Sequence, residues 1–594
     1  MMIALVGHRG VGKTSLLKRI ESYYHANSEE VKILDLDNEI EKSTGRTIGD
    51  IFSKDGENAF RLIEGDVLQS IYNNTSNVPT YVALGAGYQS QIPEGMHVIW
   101  VQRVTDVAGR VFTNRPRLDV SQTPLNEYFS RWEERQKRYR QMASETLILN
   151  EGKNNTCEKN FFLNTIKLPR GSALTLFPHH IVLPDFKNFI QKRLQWGYQY
   201  FELRDDLLTE QQVNLALKVI PKNRVLLSFR KKDSFMSPLL TEGYAWDWAL
   251  ELGLPPNKSQ PTIVSLHEQF SDENFEQALS RLSNAAGDAI QKCALMVNDW
   301  SKLQQGHHWS IAADNRSFLP RSKRGRWQWY RWLTLSHAPV SFVKEDLESS
   351  AADQPTLLEA ASRSDFSQVK EFAAIIGWPV DHSWTPSEQQ PYFANRGAPV
   401  LRIPVNKDEV TKALDVLSKM GLRWSAVTSP LKQTVYDECT VLTQRAQKLQ
   451  SVNTLQLDKN GWIGHNTDWD GLKQLFLSVP LKSSVAVWGG GGTLSLIKEL
   501  LPQAKLYSAR TGKPRIENDS EENPDIVIWA CGRFDGLTWP PVHWCPKTVI
   551  DLSYAENSAG KEYALIAKSE YQSGESMFFT QAKEQRRFWD ESSK

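Results

Sequence analysis

The stretch that decides the first fold is GHRGVGKT, Gly7 to Thr14, which follows the apolar run IALV and precedes SLLKRI. It fits a pattern of two glycines separated by four residues and followed by Lys13 and Thr14. The apolar run is typical of a buried strand, and the residues after Thr14 have helical spacing. A glycine loop between a strand and a helix is the context that a phosphate-binding loop requires, so the sequence predicts a nucleotide site.

The residue types in this loop have distinct chemical uses. Glycines let backbone N–H groups converge on phosphates at a helix N-terminus. The Lys13 ammonium reaches the terminal phosphates, and the Thr14 hydroxyl is a ligand for Mg²⁺. The residues expected to bind the nucleotide are Gly7, Gly10, Gly12, Lys13, Thr14 and Ser15.

Length and composition favour a multidomain protein that acts on small molecules. The 594 residues suffice for roughly three or four domains. Lys plus Arg (70) nearly equals Asp plus Glu (69), so no net field indicates nucleic acid or an acidic membrane surface. The five cysteines are scattered without CxxC spacing, which argues against a disulfide framework and a zinc site.

The sequence also predicts the compartment. The apolar run before Gly7 is too short for a signal-peptide core, and no later stretch approaches the roughly 18 apolar residues of a membrane span. We therefore expect a cytoplasmic protein with no nucleic-acid or membrane partner. A homodimer is one oligomeric state that the sequence leaves open.

Five further motifs follow the loop, in the order ILDLDNEIE, GENAFRLIE, ALGAGY, TNRPRL and ERQKRY. With the loop they resemble shikimate kinase over residues 1–152, which implies ATP with Mg²⁺ and phosphoryl transfer to shikimate. The resemblance implies that Asp35 supports Mg²⁺ and the acceptor hydroxyl, beside the catalytic Lys13, and that Arg115 lies in a lid over ATP. The implied substrate-binding residues are Asp37, Arg61, Gly85, Gly87 and Arg135. The family usually has three glycines where this chain has GAG, which puts Ala86 beside the substrate.

A second pattern begins after the polar stretch NEGKNNTCEKN, residues 150–160, which is typical of a linker. Strand-like runs (YFEL, RVLLSF, TIVSLH, CALMV, WSIAA) then alternate with helical ones, which favours a parallel (β/α)8-type barrel. Polar residues lie where several of these runs end, and Lys292 stands just before CALMV, as at the catalytic rim of a barrel. Partial desolvation near other cations would lower the pKa of Lys292 enough for attack on a ketone.

The motifs FELRDDLL, VLLSFRKKD, TIVSLHEQF, QKCALM, FLPR and AADQ resemble type I 3-dehydroquinate dehydratase over residues 170–360. The resemblance implies that Lys292 forms a Schiff base with the substrate ketone and that His267 is the general acid and base. The implied substrate-binding residues are Glu202, Arg204, Arg230, Arg321 and Gln354.

This segment also departs from the dehydratase pattern. The chain is shorter than in the family between Arg230 and His267, and again between Lys292 and Arg321, so we expect trimmed barrel helices. The methionine and glycines that precede the family's serine–arginine pair are replaced. After Arg230 the chain has KKDSF, with only Asp233 as a substitute for the family's polar or acidic residue. An inactive barrel with a structural role is therefore an alternative.

From Phe366 a third set of motifs appears: FAAIIGWPVDHSWTP, AVTSPLK, SVNTL, GHNTDWDGL and VAVWGGGGTLSLIKELL. The last joins an apolar strand, a glycine turn and a helix, as a dinucleotide fold requires. The next strand, AKLYSART, puts Arg510 and Thr511 where such a fold contacts the adenosine ribose. A cation there favours a 2′-phosphate, and hence NADPH.

These motifs resemble shikimate dehydrogenase over residues 366–594. The resemblance implies a substrate-binding part at 366–480, a Rossmann NADP part at 481–575 and a C-terminal helix that returns to the substrate site. Lys432 and Asp468 are the implied catalytic pair, and Ala426 replaces the family's asparagine. The implied substrate contacts are Ser383, Thr385, Thr428, Asn453, Tyr554 and Gln581. The expected cofactor-binding residues are Gly489, Gly491, Gly492, Arg510 and Thr511.

The order of the three resemblances is that of the C-terminal three domains of the fungal pentafunctional arom protein. It implies an enzyme of chorismate and aromatic amino acid biosynthesis that dehydrates 3-dehydroquinate, reduces 3-dehydroshikimate with NADPH and phosphorylates shikimate. Two alternatives stay open. One is a bifunctional kinase and dehydrogenase around an inactive barrel, and the other is a metabolite-sensing regulator that resembles the fungal quinate repressors.

Overall fold

Four β-sheets organise the chain, each built from its own part of the sequence. The computed structural model describes residues 2–74, 77–114, 117, 119–152, 157–256, 259–366, 368–516 and 522–591. Arg115, expected in a lid over ATP, lies outside these residues. Within them, every helix is too short or too polar to cross a lipid bilayer.

The first sheet is parallel, in the order β2-β3-β1-β4-β5, with the glycine loop between β1 and α1. Its central strand, MIALV, is buried throughout, because helices cover both faces of a parallel sheet. The long helix α3 is interrupted at Gly56, where φ is 83°. The strands are β1 (Met2–Val6), β2 (Lys32–Asp35), β3 (Thr80–Ala83), β4 (His97–Arg103) and β5 (Glu145–Leu149). The helices are α1 (Lys13–Ala26), α2 (Leu36–Thr44), α3 (Ile48–Asn73), α4 (Pro124–Phe129) and α5 (Trp132–Met142).

The second sheet is a nearly closed parallel barrel of eight strands, in the order β12-β11-β10-β9-β8-β7-β6-β13. At the seam between its two end strands, the Val340 N–H donates to Ser317 Oγ at 3.1 Å. The strands are β6 (Ser172–Thr175), β7 (Tyr200–Arg204), β8 (Val225–Phe229), β9 (Ala245–Ala249), β10 (Ile263–Leu266), β11 (Ile290–Cys293), β12 (Arg316–Phe318) and β13 (Ser341–Phe342). The helices are α6 (Cys157–Phe162), α7 (Pro178–Ile181), α8 (Phe186–Trp196), α9 (Glu210–Leu217), α10 (Phe275–Ala286), α11 (Trp300–Ile311), α12 (Gln328–Thr334) and α13 (Leu357–Ser362).

The expected trimming of barrel helices is confirmed in one place and wrong in the other. Between β8 and β10 the described residues form only the 3-10 helices Ser237–Thr241 and Leu250–Leu252 around β9. Between Lys292 and Arg321, however, the 12-residue helix α11 is present. It forms because Asp299 caps its first turn by accepting from the Lys302 N–H at 2.8 Å.

The third part of the chain forms two sheets. The first is mixed, in the order β15-β14-β16-β18-β19-β17, and the second is parallel, in the order β21-β20-β22-β23-β24. The strands of the mixed sheet are β14 (Phe372–Gly377), β15 (Val400–Pro404), β16 (Leu422–Val427), β17 (Val441–Leu442), β18 (Thr454–Asp458) and β19 (Gly461–His465). The helices beside it are α14 (Thr385–Ala394), α15 (Val410–Met420), α16 (Lys432–Asp437), α17 (Gln444–Leu449) and α18 (Asp468–Leu475).

The last parallel sheet carries the glycine turn after its central strand β20, and the final helix α21 returns to pack against α18. The strands are β20 (Val485–Gly489), β21 (Lys505–Tyr507), β22 (Ile526–Ala530), β23 (Thr548–Asp551) and β24 (Glu570–Gln572). The helices are α19 (Leu494–Leu500), α20 (Ala559–Ile566) and α21 (Glu575–Glu591). Further 3-10 helices lie at Val104–Ala108, Lys222–Arg224, Arg363–Asp365, Lys407–Glu409 and Phe476–Ser478.

Apolar cores run across the boundaries between these parts. One buried cluster contains Leu5 of β1 and Leu149 of β5 together with Phe201 of β7 in the barrel. A second contains Trp300 of α11 together with Leu414 of α15. The barrel therefore shares a core with each neighbour, and burial of apolar area contributes to holding the parts together.

A buried ion cluster also joins the first sheet to the barrel. Arg193 of α8 lies between Glu145 of β5, at 3.1 Å, and Glu345, whose Oε2 accepts from Arg193 Nε at 3.0 Å. The Tyr198 hydroxyl donates to the other oxygen of Glu345 at 2.8 Å. Burial alone would raise the pKa of Glu145, but Lys192 and Arg193 hold it well below its usual range. The Glu145 carboxylate stays charged because these cations face it.

We expect Arg193→Ala to destabilise the protein by about 3 to 5 kcal/mol, because it leaves two buried carboxylates without their shared cation. Urea unfolding followed by both fluorescence and circular dichroism measures the change. Arg587→Ala is the matched control, since Arg587 forms an exposed ion pair with Glu591 and its loss should leave the unfolding midpoint in place. A midpoint for Arg193→Ala equal to that of the control would contradict the assigned role.

Candidate active sites

The phosphate-binding loop has the backbone that its glycines allow. Gly7, Gly10 and Gly12 have φ values of 151°, 76° and 99°. A side chain on Gly7 would place its Cβ 2.5 Å from the carbonyl oxygen of Val101, so only glycine fits there. Lys13 Nζ donates to the carbonyl oxygen of Gly7 at 2.7 Å. Thr14 and Ser15, in the first turn of α1, are exposed.

Two expected metal ligands meet beside this loop. Thr14 Oγ1 donates to Asp35 Oδ2 at 3.1 Å, and the other oxygen of Asp35 accepts from the Asp37 N–H at 3.2 Å. The second bond caps α2 at its first turn, where Asp37 lies. A hydroxyl and a carboxylate oxygen at this separation are the oxygen ligands that Mg²⁺ prefers.

The expected acceptor residues converge on the same side. An added Cβ on Gly85 would lie 3.5 Å from Asp37 Oδ1, and one on Gly87 would lie 2.4 Å from Arg61 Nη2. Burial lowers the pKa of Arg135, and the charges of neighbouring arginines, Arg61 among them, lower it further. Arg61 also pairs with Glu64 at 2.6 Å and with Glu57 at 2.8 Å, so these glycines are bordered by both cations and carboxylates.

His8 is a residue of this site that the sequence analysis missed. Its ring stacks on Trp132 at 4.1 Å and meets Tyr139 edge-on at 5.1 Å. Burial lowers its pKa to about 3, helped by the charges of Arg135 and Lys13, so the imidazole is neutral at physiological pH. Its Nε2 is buried without a hydrogen-bond partner among the described residues. The signal was a histidine directly after the first glycine of the loop.

In the barrel, Lys292 lies on β11 with its side chain buried. Its Nζ donates to Asp247 Oδ2, and Arg230 Nη2 lies 2.8 Å from the same oxygen. Burial lowers the pKa of Lys292, whereas the charge of Asp247 opposes that change. Asp247 was also missed by the sequence analysis, although an acid inside the strand AWDWA was a visible signal.

Each of the other expected barrel residues has hydrogen-bond or ion-pair partners of its own. Glu202 accepts from Thr175 Oγ1 at 2.6 Å, and its Oε1 lies 3.7 Å from Arg230 Nη2. Arg204 pairs with the neighbouring Asp206 at 2.6 Å. Gln354 donates to Ser350 Oγ at 2.8 Å, and that hydroxyl lies 3.5 Å from Thr175 Oγ1. Arg321 follows β12, and its backbone N–H donates to Leu295 at 2.9 Å.

His267 stands at the end of β10, with its Nδ1 3.6 Å from Glu251 Oε2. Glu251 also accepts from the Glu268 N–H at 2.7 Å, so the carboxylate is anchored beside the histidine. Burial lowers the pKa of His267 to about 4, and the charges of Arg230 and Lys292 act in the same direction. The imidazole is therefore a neutral base close to Lys292.

The clearest catalytic geometry lies in the third part of the chain. Lys432 Nζ donates to both oxygens of Asp468, each at 2.8 Å. Asp468 Oδ1 also accepts from Asn453 Nδ2 at 3.0 Å and from Gln581 Nε2 at 2.7 Å. The Gln581 bond comes from α21, so the final helix completes a site that begins on α16 and α18.

These residues line a cavity of about 940 Å³ between the last two sheets. The expected contacts that line it are Ser383, Thr385, Thr428, Lys432, Asn453, Asp468, Tyr554 and Gln581. Ala426 lines it too and, with only a methyl group, offers no hydrogen bond where the resemblance implies an asparagine.

The other end of the cavity is bounded by Gly489–Gly492 and Arg510. Gly489 and Gly490 have φ values of 92° and 82°, and an added Cβ on Gly491 or Gly492 would meet no atom within 4 Å. Thr511, expected beside Arg510, is exposed and lies outside the lining. Arg515 lines the cavity instead, and it was missed because a turn separates it from Arg510.

Comparison with known proteins follows the same division of the chain. The shikimate kinase family matches residues 9–164, and the shikimate dehydrogenase substrate binding domain matches residues 375–455. The shikimate dehydrogenase (NADP(+)) of Prochlorococcus marinus subsp. pastoris is 36% identical over 137 residues, which are 22% of this chain and 47% of that protein. The crystal structure of shikimate dehydrogenase 1 from Peptoclostridium difficile has a TM-score of 0.32 and 20% identity, over 37% of this chain and 92% of that one.

Two relatives extend across most of the chain. The pentafunctional AROM polypeptides of Eremothecium gossypii and Kluyveromyces lactis are 25% and 23% identical over 562 and 567 residues. Each alignment covers 83% of this chain and 35% of the relative. The chain thus spans about half of the bacterial dehydrogenase and about a third of the AROM polypeptides. The resemblance expected from the sequence is confirmed: over 83% of its length the chain is similar to pentafunctional AROM polypeptides.

Proposed function

We propose that the chain is a multifunctional enzyme of the shikimate pathway, with kinase, dehydratase and dehydrogenase activities in residues 1–152, 170–360 and 366–594. The observation that carries the proposal is the Lys432–Asp468 pair, which lies in one cavity with a glycine turn and two arginines. The three reactions would act in sequence on 3-dehydroquinate, 3-dehydroshikimate and shikimate.

In the dehydrogenase, the side chains would donate the proton and orient the substrate. NADPH would supply the hydride that reduces the carbonyl carbon of 3-dehydroshikimate. The Lys432 ammonium, held by Asp468, donates the proton that the carbonyl oxygen needs as it becomes a hydroxyl. Asn453 and Gln581 keep the carboxylate in place, because both donate to its Oδ1.

The cofactor end of the cavity suits a phosphorylated dinucleotide. The unobstructed space above Gly491 and Gly492 lets a pyrophosphate approach the backbone. Arg510 and Arg515 together supply two cations for a 2′-phosphate, which NADH lacks. This arrangement supports a preference for NADPH.

In the kinase, catalysis depends on position and charge more than on covalent chemistry. Thr14 Oγ1 and Asp35 would hold Mg²⁺, which neutralises charge on the transferred phosphoryl group. Asp37 would orient the ring hydroxyls of shikimate, while Arg61 and Arg135 hold its carboxylate. Lys13, anchored at the loop, is the cation that would face the terminal phosphates.

In the barrel, Lys292 would attack the ketone carbon of 3-dehydroquinate and release water as the imine forms. His267 would remove the proton next to the imine and then protonate the departing hydroxyl, which leaves as a second water. Hydrolysis of the imine consumes one water and restores the amine. The lowered pKa of Lys292 supports this role, since only the neutral amine is a nucleophile.

The bifunctional alternative has its own supporting observation. Asp247 contacts both Lys292 and Arg230, and this contact favours the charged form of the lysine. If that pair persisted with substrate, the barrel would hold its neighbours together without catalysis.

We expect Lys13→Ala to lower shikimate phosphorylation on the order of 10²–10³-fold while shikimate-dependent NADP⁺ reduction continues. Lys432→Ala should have the reverse effect, because the two sites lie in different parts of the chain. Coupled assays for ADP and for NADPH absorbance measure both in the same preparations. If the folded wild-type protein had neither activity, the enzyme assignment would be refuted and the metabolite-sensing regulator would be favoured.

We expect borohydride added with 3-dehydroquinate to inactivate dehydration and to add the ligand's mass to the peptide that contains Lys292. Reduction traps the imine, so Lys292→Ala should remain unlabelled under the same conditions. Mass spectrometry of the digested protein detects the adduct. An unlabelled wild type whose other two sites are active would establish the bifunctional alternative.

We expect the acid limb of the dehydratase pH profile near pH 4, because burial keeps the pKa of His267 at about 4 instead of 6.5. The His267 imidazole is a neutral base above pH 4. Its titration should therefore cause no change in kcat/KM between pH 5 and 7. The same shift predicts that its contribution to stability is present above pH 6.5 and is lost as pH falls to 4, since the unfolded state binds the proton more tightly. An acid limb at pH 6.5 would mean that His267 titrates as it does in water, which would contradict its burial in the site.

A further inference from the structure

The kinase site has a wall that belongs to the dehydrogenase. A small cavity of about 40 Å³ lies between the phosphate-binding loop and the residues before α5, and His8 and Arg135 line it. Arg9, Tyr128 and Arg131 also contribute from the kinase part. Leu565, however, belongs to α20 beside the last parallel sheet.

Direct hydrogen bonds anchor the neighbouring kinase segment to that helix and to the loop before it. We name residues 108–114 and 119–129 the lid segment, because the resemblance to shikimate kinase puts the lid over ATP here. The Val111 N–H donates to the carbonyl oxygen of Glu556 at 2.8 Å. Asn557 Nδ2 donates to the carbonyl oxygen of Ala108 at 3.2 Å, and the Leu125 N–H lies 3.5 Å from Glu562 Oε1.

Glu562 is the centre of this anchor. The residue is 3% exposed, and its Oε2 accepts from Arg533 Nη2. Arg533 also donates to the carbonyl oxygen of Asn557, so one guanidinium ties the helix to the loop before it. A buried carboxylate with its cation in place is costly to disrupt, which makes the anchor rigid.

The support beneath this anchor belongs to the dehydrogenase core. Tyr563 and Ala564 of α20 pack with Trp529 of β22 in one buried cluster. The loop before α20 is held by Asp551, which accepts from the Ser553 N–H at 2.9 Å and from the Ser558 hydroxyl. The dehydrogenase therefore presents a fixed surface to the lid segment.

The lid segment in turn lies on the phosphate-binding loop. Arg110 Nη1 donates to the carbonyl oxygen of Gly10 at 3.2 Å, and the Arg9 guanidinium lies over the Phe112 ring at 4.8 Å. Any shift at Val111 would therefore move the groups that contact Gly10. Since effective phosphoryl transfer needs these groups in place, their anchoring bears on the reaction.

We propose that Glu562, together with Asn557, is a positioning residue for the kinase reaction: from the dehydrogenase, it holds the lid segment against the phosphate-binding loop. The kinetic part of this proposal rests on the proposed kinase function. The kinase of this chain would then depend on the dehydrogenase fold as well as on its own residues.

Hydrogen exchange on the full-length chain tests the anchor without reference to catalysis. In Glu562→Ala, peptides that contain Val111 and Leu125 should exchange about tenfold faster, because a buried charged hydrogen-bond partner is lost. Asn557→Ala should also speed exchange in these peptides. Agreement between the two variants would show that the effect does not come from a folding defect in one of them. Glu556→Ala is the matched control, since its exposed side chain is removed but the carbonyl oxygen that accepts from Val111 remains.

Kinetics then separate positioning from general damage. Glu562→Ala should raise the KM for ATP by about 2- to 10-fold while kcat for NADP⁺ reduction is unchanged. In Glu562→Gln the KM for ATP should stay close to the wild-type value, because the amide oxygen of the glutamine can still accept from the Leu125 N–H. Exchange in Glu562→Ala equal to that in wild type would overturn the proposal. A wild-type chain that does not phosphorylate shikimate would refute the kinase function alone, and the exchange data would still decide the anchor.

Discussion

The arrangement of the first two parts of the chain depends on one buried cation. Arg193 reaches from a barrel helix to Glu145 on the edge strand of the first sheet and to Glu345 beyond the last barrel strand. Two buried carboxylates so close together would repel each other without it. The apolar cluster that the two parts share holds them together without a preferred direction, whereas the geometry of the ion cluster is directional and favours one relative position.

The barrel is the element that both neighbours share. It packs against the first sheet on one side and against the third part of the chain on the other, through separate apolar clusters. Such a role constrains the outer surface of the barrel, while catalysis would constrain only its interior and rim. Lys292, Asp247 and Arg230 form a compact interior group, so the structural and the chemical requirements act on different residues.

The proposed sites achieve their chemistry in different ways. In the dehydrogenase site, a carboxylate 2.8 Å from the lysine holds its side chain in place. The barrel lysine is buried, and its pKa is lowered, as a nucleophile requires. In the proposed kinase site, burial and the charges of neighbouring arginines lower the pKa of Arg135, and His8 stays neutral beside it. The loop before α20 links two of these sites, since Tyr554 lines the dehydrogenase cavity and Asn557 holds the lid segment.

Local patterns in the sequence were enough to predict the phosphate-binding loop and the glycine turn, because each depends on residues close together in the chain. The alternation of strand-like and helical runs over residues 170–360 predicted the barrel. Thr14 followed from the loop motif itself, whereas Lys432 and Asp468 were expected only from the resemblance to shikimate dehydrogenase, and their catalytic role stays a prediction. The sequence could not indicate that α11 persists, that Arg515 lines the cavity with Arg510, or that Asp247 contacts Lys292. Nor could it indicate Arg193 between two carboxylates or Glu562 beside the lid segment. Those contacts join residues distant in sequence, so only the packing of complete sheets against one another decides them.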